Sequence, residues 1–284
     1  MANGFIIRVI FFFIWASTAL MALDPGKQIT QYSTQIWNME AGLPGNSVFA
    51  IQQTPDGYLW LGTPDGLVRF DGIDFQWYNR EKFPQAKIDE ARTLYVDRSG
   101  TLWIGASFEG LIAYKGGEFT TYPVADHKSL SRISAIAEDT GGNLWIGSFN
   151  AGLTCMNHGK FTTYPTVAGF PIKEVRTIYK DSQGTLWITT NAAILKMSQP
   201  GIFQTAVTQK DFPYYMTVCH YNPDSEELWV GTAEHYLNRV KNGKYDVYGP
   251  GQGIPHPTIT CLCEDSGKNL WIGTDWGGLA RVNK

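Results

Sequence analysis

Six pentads decide how this chain is read: Leu59-Trp60-Leu61-Gly62-Thr63, Leu102-Trp103-Ile104-Gly105-Ala106, Leu144-Trp145-Ile146-Gly147-Ser148, Leu186-Trp187-Ile188-Thr189-Thr190, Leu228-Trp229-Val230-Gly231-Thr232 and Leu270-Trp271-Ile272-Gly273-Thr274. Successive tryptophans stand 43, 42, 42, 42 and 42 residues apart. A fixed period in the low forties marks one supersecondary unit repeated in a radial or stacked array.

The second unit shows what is repeated. Ala91 to Val96 is β-branched and aromatic, and Asp97-Arg98-Ser99-Gly100 is a turn, since Asp bonds its own backbone and Gly accepts positive φ. Thr101 to Gly105 is the next strand, Leu111 to Tyr114 the third, and Lys115-Gly116-Gly117 turns into Glu118 to Tyr122. Short strands between regular turn signals predict an all-β sandwich, barrel or propeller. A 42-residue, four-stranded unit cannot cover both of its faces alone, so neighbours must stack on it. Twisted four-stranded sheets stacked around an axis make a β-propeller. The expected class is therefore all-β, a β-propeller of four-stranded blades with six repeats.

Outer strands carry an aromatic pair at Phe75 and Tyr78, Phe119 and Tyr122, Phe161 and Tyr164, and Tyr245 and Tyr248. The fourth unit is weaker, from Phe203 to Ala206, and the sixth has no such strand before Lys284. Ile29-Thr30-Gln31-Tyr32 is the matching piece. Its strand is expected to complete the last blade and close the ring without a free edge. The rival expectation is a truncated propeller of seven or more blades.

Residues 1–22 read as a signal peptide: Arg8, an apolar run from Val9 to Trp15, then small residues around Ala16 to Ala22. An uncleaved anchor is the alternative. The propeller is assigned to 23–284 and expected in the periplasm. No second apolar stretch is long enough to span a bilayer. Net charge is −3 over 284 residues, and without a basic stripe nucleic acid is not an expected partner.

Asp97, Asp139, Asp181 and Asp265 each open an Asp-containing turn ahead of a Trp. The motif is similar to the aspartate boxes of glycoside hydrolases, but it falls on a hairpin turn in every copy and is read as structural. Cys219 and Cys261 each precede a Trp by ten residues. The position reads as one that takes a small residue, with a Cys219–Cys261 disulfide as the sharper alternative. No His/Cys spacing of a zinc site occurs, so neither metal nor cofactor is expected. His220 takes an Ile/Leu register position and reads as a core histidine.

A ligand site should break the repeat. The loops between second and third strands differ: Pro64-Asp65, Phe108-Glu109, Phe149-Asn150, Asn191-Ala192, Glu234-His235 and Asp275-Trp276. Eleven residues before each Trp stand Phe49, Arg92, Ser134, Arg176, Val218 and Thr260. In propellers generally both sets meet on one rim, where aromatics with a few polar groups make a pocket and Arg offers a bidentate fork. The candidate binding residues are Arg92, Ser134, Arg176, Phe108, Glu109, Phe149, Asn150, Asn191, His235, Asp275 and Trp276. The alternative for Arg92 and Arg176 is pairing with Glu90 and Glu174. No catalytic set is placed by the sequence.

The run from Ile36 to Val48, followed by Asp56 to Thr63 and Gly66-Leu67-Val68-Arg69-Phe70-Asp71-Gly72, resembles the two-component regulator propeller repeat family. The resemblance covers about residues 29–284. It implies a periplasmic sensor region of hybrid histidine kinases or diguanylate cyclases. It also implies a small-molecule or oligosaccharide ligand, homodimers and a downstream membrane-anchored kinase or cyclase. The sequence departs from that pattern in having no β-sandwich, membrane segment or output motif, in losing Gly-Leu in units four and five, and in showing six units where the family usually has more. It reads as the front part of such a receptor or as a solitary sensor propeller. An exported ligand-binding sensor is the leading expectation; a propeller lyase or glycoside hydrolase, and an interaction scaffold, are the alternatives.

Overall fold

The computed structural model describes residues 31, 35–84, 88–210 and 212–282. The chain divides into two compact units, Met1–Ser33 and Thr34–Lys284, and the description concerns the second. The signal-peptide expectation for 1–22, and the strand expected at 29–32 apart from Gln31, lie outside the described residues.

Among the described residues the protein is a six-bladed β-propeller with almost no helix. Blade 1 consists of Ala50–Gln53, Leu59–Thr63, Gly66–Phe70 and Phe75–Tyr78. Blade 2 runs through Ala91–Val96, Leu102–Ala106, Gly110–Lys115 and Glu118–Pro123. Blade 3 follows with Ile133–Glu138, Leu144–Ser148, Gly152–Asn157 and Lys160–Tyr164. Blade 4 is Val175–Lys180, Leu186–Thr190, Ala193–Gln199 and Ile202–Thr208. Met216–Asn222, Glu227–Thr232, Leu237–Lys241 and Lys244–Tyr248 make blade 5. Blade 6 shows Ile259–Glu264, Leu270–Thr274 and Gly278–Val282. In every blade the strands pair antiparallel in sequence order, the topology that tight hairpins dictate.

Among the described residues, five hydrophobic clusters lie between one blade and the next, and a sixth packs Leu43 on Leu61 and Val68 of blade 1. Trp60 and Leu67 of blade 1 pack on Leu94, Ile104 and Ile112 of blade 2. Trp103 and Leu111 pack on Ile136 and Ile146, and Trp145 and Leu153 on Ile178 and Ile188. Trp187 packs on Cys219 and Val230, and Trp229 and Leu237 on Ile259 and Ile272. The pentad Trp thus faces the following blade, and the branched residue after it faces the preceding one. Gly147 has to be glycine for this stacking: a Cβ there would fall 2.4 Å from Val175 Cγ1 of blade 4.

The aspartate turns are structural clamps. Asp97, Asp139, Asp181 and Asp265 each accept a hydrogen bond at Oδ2 from the indole Nε1 of Trp103, Trp145, Trp187 and Trp271, at 2.8, 2.9, 2.8 and 2.8 Å. Their Oδ1 atoms accept from backbone N–H four residues on. In blade 1 the Thr54 hydroxyl accepts from Trp60 Nε1 instead, at 2.9 Å. A buried indole N–H needs a partner, and the turn supplies it.

Counting back from Trp fails in blade 5, whose first hairpin is one residue longer. Cys219 pairs with Val230, after the Trp, whereas Cys261 pairs with Gly273, two after it. The two thiols therefore face opposite sides of their sheets. Both are free, Cys219 buried and Cys261 exposed, so the disulfide alternative does not hold. Burial pushes the Cys219 thiol up to about 12 and the Cys155 thiol to about 11.

Candidate functional site

The innermost strands of blades 2 to 6 each carry a bulge near their start. A bulge leaves one residue out of the ladder and re-aims its side chain. The unpaired residues are Arg92, Ser134, Arg176, Thr217 and Thr260. Thr217, and not Val218, stands there in blade 5 because of the longer hairpin; Val218 is buried in the blade 5–6 core.

The hydroxyls at this position join blades. Ser134 Oγ donates to the Val175 carbonyl at 2.6 Å, and Thr217 Oγ1 to the Ile259 carbonyl at 2.6 Å. Ser134 also lines a cavity of about 450 Å³ between the innermost strands of blades 1 to 4.

Both arginines take the pairing alternative. Arg92 Nε lies 3.1 Å from Glu90 Oε1 and donates to Ser107 Oγ at 3.2 Å. Its guanidinium sits 5.1 Å from the Phe49 ring and 5.7 Å from that of Phe149. Arg176 Nη2 stands 2.8 Å from Glu174 Oε1, an ion pair without hydrogen-bond alignment. The same guanidinium lies 3.5 Å from the Tyr215 ring centre. Each cation is thus neutralised by a residue two positions earlier and held on an aromatic face.

Several loop candidates brace their own loops. Asn191 Oδ1 accepts from the backbone N–H of Lys173 and Glu174. Asn150 Oδ1 accepts from Ser148 Oγ at 2.9 Å. The His235 ring lies 3.9 Å from that of Tyr214, and Asp275 N donates to the Thr258 carbonyl. Trp276 is 93% exposed with φ 63°.

Phe108 and Glu109 are different, because they share one cavity. It measures about 540 Å³ and is bounded by Arg80, Asp89, Phe108, Glu109, Pro123 and Val124 among others. Phe108 is 75% exposed at its mouth. The Glu109 side chain is only 6% exposed, with Oε1 3.6 Å from Arg80 Nη2. Arg80 grips Asp89 with both arms of its fork, Nε to Oδ1 at 2.9 Å and Nη2 to Oδ2 at 2.8 Å. Burial, and a hydrogen bond with the Asp89 carboxyl, raise the Glu109 carboxyl above its ordinary value. Two acids and one cation leave the cleft with excess acceptor capacity.

A second cavity of about 440 Å³ adjoins the first, lined by Pro64, Asp65, Asn79, Arg80, Glu81 and Asp89. The Arg80–Asp89 pair is therefore the partition between two compartments on one rim. Sequence reasoning missed Arg80 and Asp89 because they lie on the connection between blades 1 and 2. That connection, 79–90, is the longest between successive blades, and its length was the available signal.

Known proteins bear on this arrangement. The model of the two component regulator propeller matches at residues 42–65, 128–150, 169–192 and 253–276. Four stretches of the chain are thus similar to that family's repeat. The extracellular domain of BT3049 from B. thetaiotaomicron, assigned to a hybrid two component system, is 21% identical at a TM-score of 0.55, over 87% of this chain and 41% of that one. The extracellular domain of BT4673 from B. thetaiotaomicron, assigned to a one component system, is 20% identical at a TM-score of 0.67, over 88% and 36%. Virginiamycin B lyase from Staphylococcus aureus is 16% identical at a TM-score of 0.63, over 84% of each chain. At these identities the likeness is one of fold. The chain spans about two fifths of the two B. thetaiotaomicron structures it matches. No curated protein sequence matches it. Among the described residues no helix is long and apolar enough to cross a membrane.

Proposed function

We propose that this chain is the exported, ligand-sensing propeller of a signalling receptor, and that the ligand enters the cleft bounded by Phe108, Glu109, Arg80 and Asp89. The regulator propeller repeats, and likeness to extracellular domains of two component systems, support the sensor class. The observation that carries the cleft is the pairing of an exposed ring, Phe108, with the buried Glu109 carboxyl in one cavity of about 540 Å³. An aromatic platform beside fixed carboxyl and guanidinium groups suits a hydroxylated ligand such as an oligosaccharide: the ring covers a sugar face, and the polar groups take adjacent hydroxyls. Arg92 and Arg176, tied to Glu90 and Glu174, are the weaker anchors.

Thermal unfolding with a panel of neutral oligosaccharides tests this. A ligand at a hundred times its Kd stabilises by about 2.7 kcal/mol, and Phe108→Ala and Arg80→Ala are expected to abolish the shift. Shifts unchanged in both variants would remove the cleft from consideration. Burial shifts the Glu109 carboxyl in the direction a general acid needs, so the panel is followed for turnover. Glu109-dependent cleavage would favour an enzyme over a sensor.

A further inference from the structure

The contact between blades 4 and 5 lacks rings that the three contacts before it have. In blades 1, 2 and 3 the Trp ring lies 5.4, 6.1 and 5.2 Å from a Tyr of its own outer strand, Tyr78, Tyr122 and Tyr164. Those Tyr rings lie 5.7, 5.6 and 5.9 Å from Phe119, Phe161 and Phe203 on the outer strand of the next blade. Blade 4 breaks the series. Val207 pairs with Ile194 where Tyr78, Tyr122 and Tyr164 pair with Leu67, Leu111 and Leu153. Ala206, beside it, is left out of the ladder by a bulge. Tyr245 of blade 5 holds the place of the phenylalanines, but its ring stands 5.3 Å from Phe212. Trp187 stacks on Tyr221 of blade 5, with ring centres 4.5 Å apart.

A cavity of about 420 Å³ lies at this contact, bounded by Trp187, Lys196, Ala206, Val207, Tyr221 and Glu226 among others. Small-molecule pockets span about 300–1,000 Å³, so the volume is sufficient. Two of the charges around it are engaged. Asp181 accepts from Trp187 Nε1 and from the backbone N–H of Gln183 and Thr185, and Lys241 Nζ lies 3.4 Å from Glu227 Oε1. Two others are not. Lys196 pairs with Trp187 across the ladder, the place that Arg69 and Arg239 hold in blades 1 and 5. Those arginines bond Gln76 and Asp246 on the neighbouring strand. Among the described residues neither the Lys196 ammonium nor the Glu226 carboxylate has a hydrogen-bond or ion-pair partner.

We propose that this cavity binds a free aromatic amino acid. The ring takes the space that a Tyr fills in blades 1 to 3, against Trp187 and Tyr221, and rings that meet in this way attract beyond their buried area. Lys196 takes the carboxylate and Glu226 the ammonium, both charge-assisted contacts. One free cation and one free anion on the wall of a ring-sized cavity match a zwitterion better than they match an ion of either sign. The cavity shares no lining residue with the Phe108–Glu109 cleft, so the two sites stand or fall separately.

Titration calorimetry of the full-length protein with L-phenylalanine and its analogues tests this. Phenethylamine, which lacks the carboxylate, is expected to bind about tenfold more weakly, the worth of a hydrogen bond to a charged group. Hydrocinnamate, which lacks the ammonium, should lose roughly twofold to fivefold, because Glu226 is exposed. Lys196→Gln should weaken L-phenylalanine about tenfold and leave phenethylamine unchanged. Glu226→Gln should give the smaller loss with L-phenylalanine and leave hydrocinnamate unchanged. Ala206→Tyr puts a ring on the cavity wall at an exposed position, so it should abolish binding while the unfolding curve stays that of wild type. No binding of L-phenylalanine at millimolar concentration overturns the proposal. Equal affinity for L-leucine overturns it too, since no ring would then be read. So does binding that survives Ala206→Tyr, or a Lys196→Gln variant that loses phenethylamine as strongly as L-phenylalanine, since the ligand would then lie elsewhere.

Discussion

Replacing Asp97 by alanine removes the clamp of blade 2 and should destabilise the protein by about 3 kcal/mol. Asp97 Oδ1 accepts from Ser99 N, Ser99 Oγ and Thr101 N at 2.9, 2.8 and 2.9 Å, and Oδ2 accepts from Trp103 Nε1 at 2.8 Å. The two Ser99 donors are exposed and regain water. The bonds from Thr101 N and from the nearly buried Trp103 do not recover fully, and a bond to a charged acceptor is worth about 1.5–3 kcal/mol. Two at the lower figure give about 3 kcal/mol. Urea unfolding followed by tryptophan fluorescence should show the midpoint fall by about 1 M or more at ordinary slopes. A loss under about 0.5 kcal/mol, the level of an ordinary surface change, would refute the reasoning. The pH dependence is a second check. Burial opposes ionisation of Asp97, but the bonds from Trp103, Ser99 and Thr101 outweigh it and hold the carboxyl below its ordinary 3.8. The stabilisation is then fully present above about 3.8 and lost as pH falls through the lower folded value. Wild type and Asp97→Ala should converge in strong acid.

Gly147→Ala would bring a methyl group to 2.4 Å from Val175 Cγ1 and 2.9 Å from its Cβ. Overpacking of this kind costs about 1–3 kcal/mol, and a lower urea midpoint with unchanged slope is the expected reading. His220 is pushed down from 6.5 by burial, against the pull of Glu264 at 3.3 Å. A depressed folded value means stability present above about 6.5 and lost as pH falls through the folded value. His220→Gln should flatten that part of the stability–pH curve, which titration of the unfolding midpoint between pH 5 and 7.5, a range of about 2.5 units around the ordinary value, would reveal.

The fold was legible because each blade reports its core directly in sequence. The Trp, the branched residue after it and the following Gly are fixed by contact with neighbouring blades, so they recur with the period. The turn aspartates were legible for the same reason. The candidate site was less so. Ser134 reads as a variable rim residue in sequence, yet its hydroxyl bridges blades, as does that of Thr217, one residue from the expected Val218. Arg92 and Arg176 were found with their acids, and only geometry could show which partner each takes. Phe108 and Glu109 were visible as departures from the repeat, but Arg80 and Asp89 lie in a connection with no repeated register. The position of Val218 went wrong for one physical cause, an additional residue in a hairpin, which shifts every offset counted from the Trp.

The one-way order of blade contacts has a consequence for how the molecule yields. An array in which each member touches only its neighbours loses order from its ends, where a blade has one flank supported instead of two. Blades 3 and 4 stand in the middle of the series and share the largest described cluster, around Trp145, Leu153, Ile178 and Ile188. Blades 3 and 4, packed on both flanks, should be among the last to open locally. The Phe108–Glu109 cleft is lined by the connection between blades 1 and 2 as well as by blade 2 itself, so a bound molecule would tie that connection to blade 2 and slow the parting of those two blades.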